Sequence, residues 1–254
     1  MPLTASLPSR LLILCGLLAG APGVALADAP CPAGPPAPLL PLSHLRAALQ
    51  RNAEGVIVAI GSSSTQGVAA TDPAHSYPAA LQARLEHALP SMHIAVINRG
   101  VGGEDAPEEL ARLQADVIAV RPQLVIWQVG ANGALRNADP NVFARMVTEG
   151  VNRLQAAGID VVLMDNQHSP KIDAAPEHAT LDAVLAQVAR NTGAGLFSRA
   201  ALMAAWGEAG VPPLTFIAID GLHHNDRGYA CVARALADAI LDRLHETRAL
   251  SASR

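Results

Sequence analysis

The sequence predicts an α/β fold built on a largely parallel sheet, and two observations carry that prediction. Five short apolar, β-branched runs recur along the chain, separated by longer stretches with helical spacing, which is the alternation that lays helices over a parallel sheet. Between residues 41 and 250 no linker, charge block or internal repeat breaks the pattern, so this stretch reads as one domain. At 254 residues, 50% hydrophobic and 16% charged, the chain has the apolar material for a full core and too much of it for a disordered protein.

The elements follow in chain order. Residues 1–27 carry Arg10, the apolar run Leu11 to Leu18 and the small-x-small triplet Ala25-Leu26-Ala27, the pattern of a secretory signal peptide cleaved after Ala27. Gly20, Pro22 and Gly23 interrupt the run, which is short for a membrane span. Leu14 stands before Cys15 where a lipoprotein signal needs a small residue, so the expectation is an exported, periplasmic or secreted protein, off the membrane after signal removal. Residues 28–40 form a Pro-rich leader. Once Cys15 leaves with the signal, Cys31 and Cys231 are free to pair in an oxidising compartment; two free thiols remain the alternative, since Cys31 lies in a stretch able to stay mobile.

In the domain, strands are expected at Val56 to Ile60, His93 to Asn98, Leu124 to Val129, Ile159 to Met164 and, more weakly, Ala194 to Phe197, all reading as buried on both faces. Amphipathic helices are expected at Leu42 to Arg51, Pro78 to Ala88, Pro107 to Ala119, Asn141 to Ala156, Pro176 to Asn191 and Asn225 to Thr247. Pro78, Pro107 and Pro176 sit at helix starts, where a missing N–H costs nothing. In such sheets the ligand site lies beyond the carboxyl ends of the strands.

Four segments fall at those ends. The first strand runs into Gly61-Ser62-Ser63-Ser64-Thr65-Gln66-Gly67, whose hydroxyls suit either helix capping or a nucleophile raised above the sheet. The second ends in Asn98-Arg99-Gly100-Val101-Gly102-Gly103-Glu104-Asp105, a glycine turn able to aim N–H groups at an anion, without the lysine or spacing of a phosphate loop. The third ends in Gly130-Ala131-Asn132-Gly133, which is an amide donor or simply a turn. Before the last helix stands Asp220-Gly221-Leu222-His223-His224-Asn225, where one local turn brings the carboxylate to Nδ1–H of His223 and leaves Nε2 as a base. Turn and cap roles fit the same residues, and Asp220, His223 and His224 are potential metal ligands, though no cysteine cluster or His-Glu-x-x-His completes a metal site. Gathered at one sheet edge, the four segments supply nucleophile, base, orienting acid and oxyanion donors.

In this order the segments resemble the four signature blocks of the SGNH hydrolases, also called GDSL-type esterases. The resemblance covers most of the chain from Val56 to the last helix. It implies a flavodoxin-like three-layer α/β/α sandwich with a mainly parallel five-stranded sheet. It also implies a catalytic set of Ser63, Asp220 and His223, an oxyanion hole from Ser63, Gly103 and Asn132, and ester hydrolysis with no metal and no cofactor. Two positions depart from the pattern: Ser62 and Gly133 stand where the family usually has Asp. The expected function is a serine esterase acting on acetyl or short acyl esters of a small molecule or saccharide. The alternatives are an O-acyltransferase using the same triad and a non-catalytic carbohydrate-binding domain on the same scaffold. Gln167 and His168, in the polar loop after the fourth strand, are candidate substrate contacts. A net charge of −4 and 3% aromatics leave neither a basic footprint nor a stacking platform for nucleic acid.

Overall fold

The computed structural model describes Met1 and residues 30–252; the expected signal segment and its cleavage point lie outside the described residues. Five parallel strands, β1 (Glu54–Gly61), β2 (His93–Gly100), β3 (Leu124–Gln128), β4 (Asp160–Met164) and β5 (Gly195–Phe197), pair in the order β2-β1-β3-β4-β5. This is the flavodoxin order, whose switch point lies between β1 and β3. Alternation along β1 feeds two cores: Ile57 and Ala59 face one side of the sheet, Val58 and Ile60 the other.

On the first side pack α1 (Ser43–Asn52), α3 (Tyr77–Ala88), α9 (Arg199–Glu208) and α10 (Asp226–Ala252), through residues such as Leu45, Leu81, Trp206 and Leu236. On the second pack α4 (Ala106–Asp116), α6 (Pro140–Ala156) and α8 (His178–Thr192), through Leu113, Val147 and Leu185. The four short or weakly patterned helices α2 (Ser63–Gln66), α5 (Ala131–Leu135), α7 (Pro170–Asp173) and α9 have no counterpart in the sequence reading.

Two expectations are corrected, and the expected pairing of Cys31 with Cys231 is present. Strand β2 is an edge strand in which Ile94 alone is buried and the other residues are exposed or half-buried, so the both-faces burial expected of it belongs to the central strands β1, β3 and β4. The last helix of the sheet's second layer, α8, starts at His178, leaving Pro176 outside it, and α4 ends at Asp116, before a separate 3-10 turn at Ile118–Val120. The proline-rich segment from residue 30 to 41 has neither helix nor strand, yet it is tied down. Cys31 is bonded to Cys231 of α10, Leu40 is buried, and the Leu40 carbonyl accepts from Arg243 Nε at 3.3 Å. Among the described residues no helix is long and apolar enough to cross a membrane.

Candidate active site

The triple serine sits where β1 breaks into α2. Gly61 is required there because a Cβ would stand 2.6 Å from the Gln128 carbonyl oxygen and 2.5 Å from Thr65 Oγ1. Gln128, fully buried at the end of β3, accepts three hydrogen bonds on Oε1: from Ser62 N at 3.2 Å, Ser62 Oγ at 3.3 Å and Thr65 Oγ1 at 3.1 Å. From β2, Asn98 Nδ2 donates to the Thr65 carbonyl at 2.8 Å. Ser62 and Ser64 are thereby buried, and Ser63, first residue of α2, is the hydroxyl that meets the histidine.

Asp220 and His223 come together through the turn that precedes α10. Asp220 Oδ1 accepts from the N–H groups of Leu222 at 2.9 Å and His223 at 3.0 Å, while Oδ2 lies 2.6 Å from His223 Nδ1. Burial works to raise the Asp220 carboxyl, but the bonds from the His223 ring and the two N–H groups outweigh it and hold it below the usual carboxylate range. An ionised Asp220 fixes the proton on Nδ1. His223 Nε2 is then the acceptor for Ser63 Oγ at 2.7 Å. The neighbouring His224 points the other way. Fully buried, with Nδ1 donating to the Phe216 carbonyl at 3.1 Å and its pKa pushed down to about 3 by burial, it stands apart from Asp220 and His223. Among the described residues no three side chains of metal-ligating type converge.

The glycine turn closes the site from the β2 side. Gly102 lies against Ser63, and its N–H is occupied by Gln66 Oε1 at 2.8 Å. The Gly103 N–H and the Ser63 N–H have no hydrogen-bond partner among the described residues. Gly103 adopts φ +83°, which favours glycine, and its carbonyl accepts from Arg136 Nη2 at 2.7 Å. Asn132, on the first turn of α5, gives one Nδ2 hydrogen to the Glu104 carbonyl at 2.6 Å, which leaves the other for a ligand. Arg112 binds Glu104 at 2.6 Å and the Gly61 carbonyl at 3.2 Å, coupling this turn to the end of β1.

The departure at Gly133 has a physical reason: a Cβ there would lie 3.1 Å from Asp105 Oδ2, so the Asp105 carboxylate fills the space a side chain at 133 would need. Asp105 in turn caps α4 in a capping box with Glu108. Gln167 and His168 divide. Gln167 is 2% exposed with Nε2 on the Leu222 carbonyl at 2.8 Å, so it braces the Asp/His turn instead of lining a pocket; His168 is part-exposed and paired with Asp173 at 2.9 Å. Gln128 and Arg112 are not singled out from the sequence, and Gln66 and Asn98 are seen there only as members of their segments without an anchoring role, although a glutamine ending the apolar run LVIWQ is a readable signal of a buried polar anchor.

A family model described as the non-GDSL lipase-like family matches residues 29–246. An arylesterase of Vibrio mimicus is 31% identical over 96 residues, covering 37% of this chain and 46% of that protein. Among solved structures, a two-domain esterase active on acetylated mannans superposes with TM-score 0.68 at 23% identity, covering 82% of this chain and 55% of the other. An acetylxylan esterase from Geobacillus stearothermophilus superposes with TM-score 0.60 at 21% identity, covering 75% and 94%. The structural likenesses establish a shared three-layer fold. The chain spans about half the length of the arylesterase and of the mannan esterase.

Proposed function

The chain belongs to the non-GDSL lipase-like family, within the SGNH hydrolases that its four blocks resemble, and from that membership we propose that it is a serine esterase cleaving acetyl or short acyl esters through an acyl-enzyme. The observation that carries this reading is the continuous line from Ser63 Oγ to His223 Nε2 at 2.7 Å and from His223 Nδ1 to Asp220 at 2.6 Å. His223 takes the Ser63 proton as Oγ attacks the ester carbonyl, and the ionised Asp220 supports the imidazolium. The negative oxygen meets the Ser63 and Gly103 N–H groups and the free Nδ2 hydrogen of Asn132. The imidazolium returns its proton to the leaving alcohol, and water activated by the same ring releases the acid.

Likeness to two carbohydrate acetyl esterases favours acetyl groups on saccharides as the substrate class. The Leu11–Leu18 run and the Cys31–Cys231 bridge support export into an oxidising compartment. The test is a panel of acyl esters on wild type and Ser63→Ala, with and without a sugar acceptor. Loss of turnover by several orders of magnitude in the variant, with the fold retained, is expected. Full activity of Ser63→Ala refutes the reading, and acyl transfer to the acceptor in preference to water assigns the protein as an O-acyltransferase.

A further inference from the structure

We propose that Gln167 is a positioning residue for the general base, holding the peptide between Leu222 and His223 at the angle that aims His223 at Ser63; this rests on the triad reading above. The turn from Asp220 to His223 is fastened through its backbone. Gly221 N donates to the Ala218 carbonyl at 3.0 Å, Ala218 N to the His223 carbonyl at 2.8 Å, and Lys171 N to the Gly221 carbonyl at 3.1 Å. The Leu222–His223 peptide is clamped at both ends. Its N–H is given to Asp220 Oδ1 at 3.0 Å and its carbonyl accepts from Gln167 Nε2 at 2.8 Å. Gln167 is a side chain reaching this peptide from another element, across 55 residues of sequence.

Rotation of that peptide plane changes the backbone angle of His223 directly, and with it the direction of the imidazole. Asp220 alone cannot prevent it, because the same carboxylate bonds the ring and would turn with it. Packing does not explain the residue type. Gln167 is buried, and its Oε1 has no hydrogen-bond partner among the described residues, so an apolar side chain of the same length would lose nothing at that atom. What only the amide supplies is the donor on the Leu222 carbonyl.

The test compares wild type, Gln167→Met, Gln167→Glu and Ser63→Ala on one short acyl ester, with melting temperatures and the rate of Ser63 labelling by a fluorophosphonate. Gln167→Met keeps the length and removes the donor; kcat and the labelling rate are expected to fall about tenfold to a hundredfold, the cost of a misaimed catalytic group, with KM within twofold of wild type. Gln167→Glu donates only when its carboxyl is protonated, so its kcat relative to wild type is expected to rise as pH falls, a trend that Gln167→Met lacks. A normal kcat in Gln167→Met, or a raised KM with kcat intact, overturns the proposal, the second result making Gln167 a substrate contact. A lower melting temperature with unchanged kcat assigns it to stability alone. Full activity of Ser63→Ala instead overturns the triad reading itself.

Discussion

Asn132 gives the sharpest test of the oxyanion assignment, because one of its two Nδ2 hydrogens is already committed to the Glu104 carbonyl and the amide is therefore fixed before any substrate arrives. Asn132→Ala is expected to lower kcat by about 10²–10³ with little change in KM, since the lost bond forms only to the developing oxyanion. Steady-state kinetics on one ester decide it, and a rise in KM at constant kcat points to ground-state binding instead. A second test concerns Glu109. Burial pushes its carboxyl up to about 8, against the hydrogen bond that Trp127 Nε1 donates at 2.7 Å. The folded state thus keeps a proton that the unfolded chain releases near 4.5, so stability is full below that pH and drains as pH climbs toward 8. Asp165, raised to about 7 first by burial and then by Asp182, drains over a lower window. Glu109→Gln is therefore expected to flatten the decline in melting temperature between pH 7 and 8, recovering about 1 kcal/mol across that one-unit window, measured by thermal melts over the range. A decline as steep as in wild type sinks the assignment. Neither Glu109 nor Gln167 was legible as an anchor in the sequence: each role depends on which backbone or indole group arrives from a distant segment.

The junction of β1, α2 and β2 shows which elements a sequence discloses. β1, β3 and β4 are apolar on both faces, and α3, α6 and α8 carry long helical periods, so pattern alone finds them. Helix α2 has four residues and α5 five, too few to show a period, and α9, Arg199–Glu208, reads RAALMAAWGE without a polar face. Three of the four site segments were legible because they follow β1, β2 and β3, where topology gathers them, and the fourth because Asp220 and His223 stand three residues apart just before the last helix. The contact that sets their spacing was not. Gly100, last residue of β2, lies so close to α2 that a Cβ would overlap Gln66 N and the Thr65 carbonyl carbon. Gly100→Ala should push α2 away from β2, strain the Asn98–Thr65 bond and shift Ser63 from His223. The expected outcome is a kcat lower by about 10²-fold in a protein that still folds, checked by kinetics beside circular dichroism. Wild-type kcat in Gly100→Ala would mean that the junction yields without moving the nucleophile.

Parallel topology brings together groups from residues 63, 103 and 132 because β1, β2 and β3 exit at the same edge, and the turn before α10 carries residues 220–223 to them, so the site depends on the sheet and its last helix as a whole. The Cys31–Cys231 bond acts on that whole from outside the site. It closes a loop of 200 positions and ties residues 30–41 to α10, with Leu40 and Pro41 packed against Gly195 of β5 on one face of the sheet. Chain entropy assigns such a loop about 5 kcal/mol as an upper guide. For a domain of this size that corresponds to about 10–20 °C in melting temperature. The Asp220–His223 turn, by contrast, is held by Gln167, Lys171 N and Ala218 N, and Asn225 fastens the start of α10 through Thr215, Ile217 and Gly228. None of these bonds runs through Cys231. Reduction, or Cys31→Ala, is therefore expected to lower the melting temperature toward that limit while kcat at 25 °C stays within twofold of the oxidised protein. Differential scanning calorimetry and ester kinetics on the oxidised and reduced forms measure both quantities. A parallel loss of kcat well below the melting transition would show that the strap, and not the local bonds of the turn, keeps His223 in place.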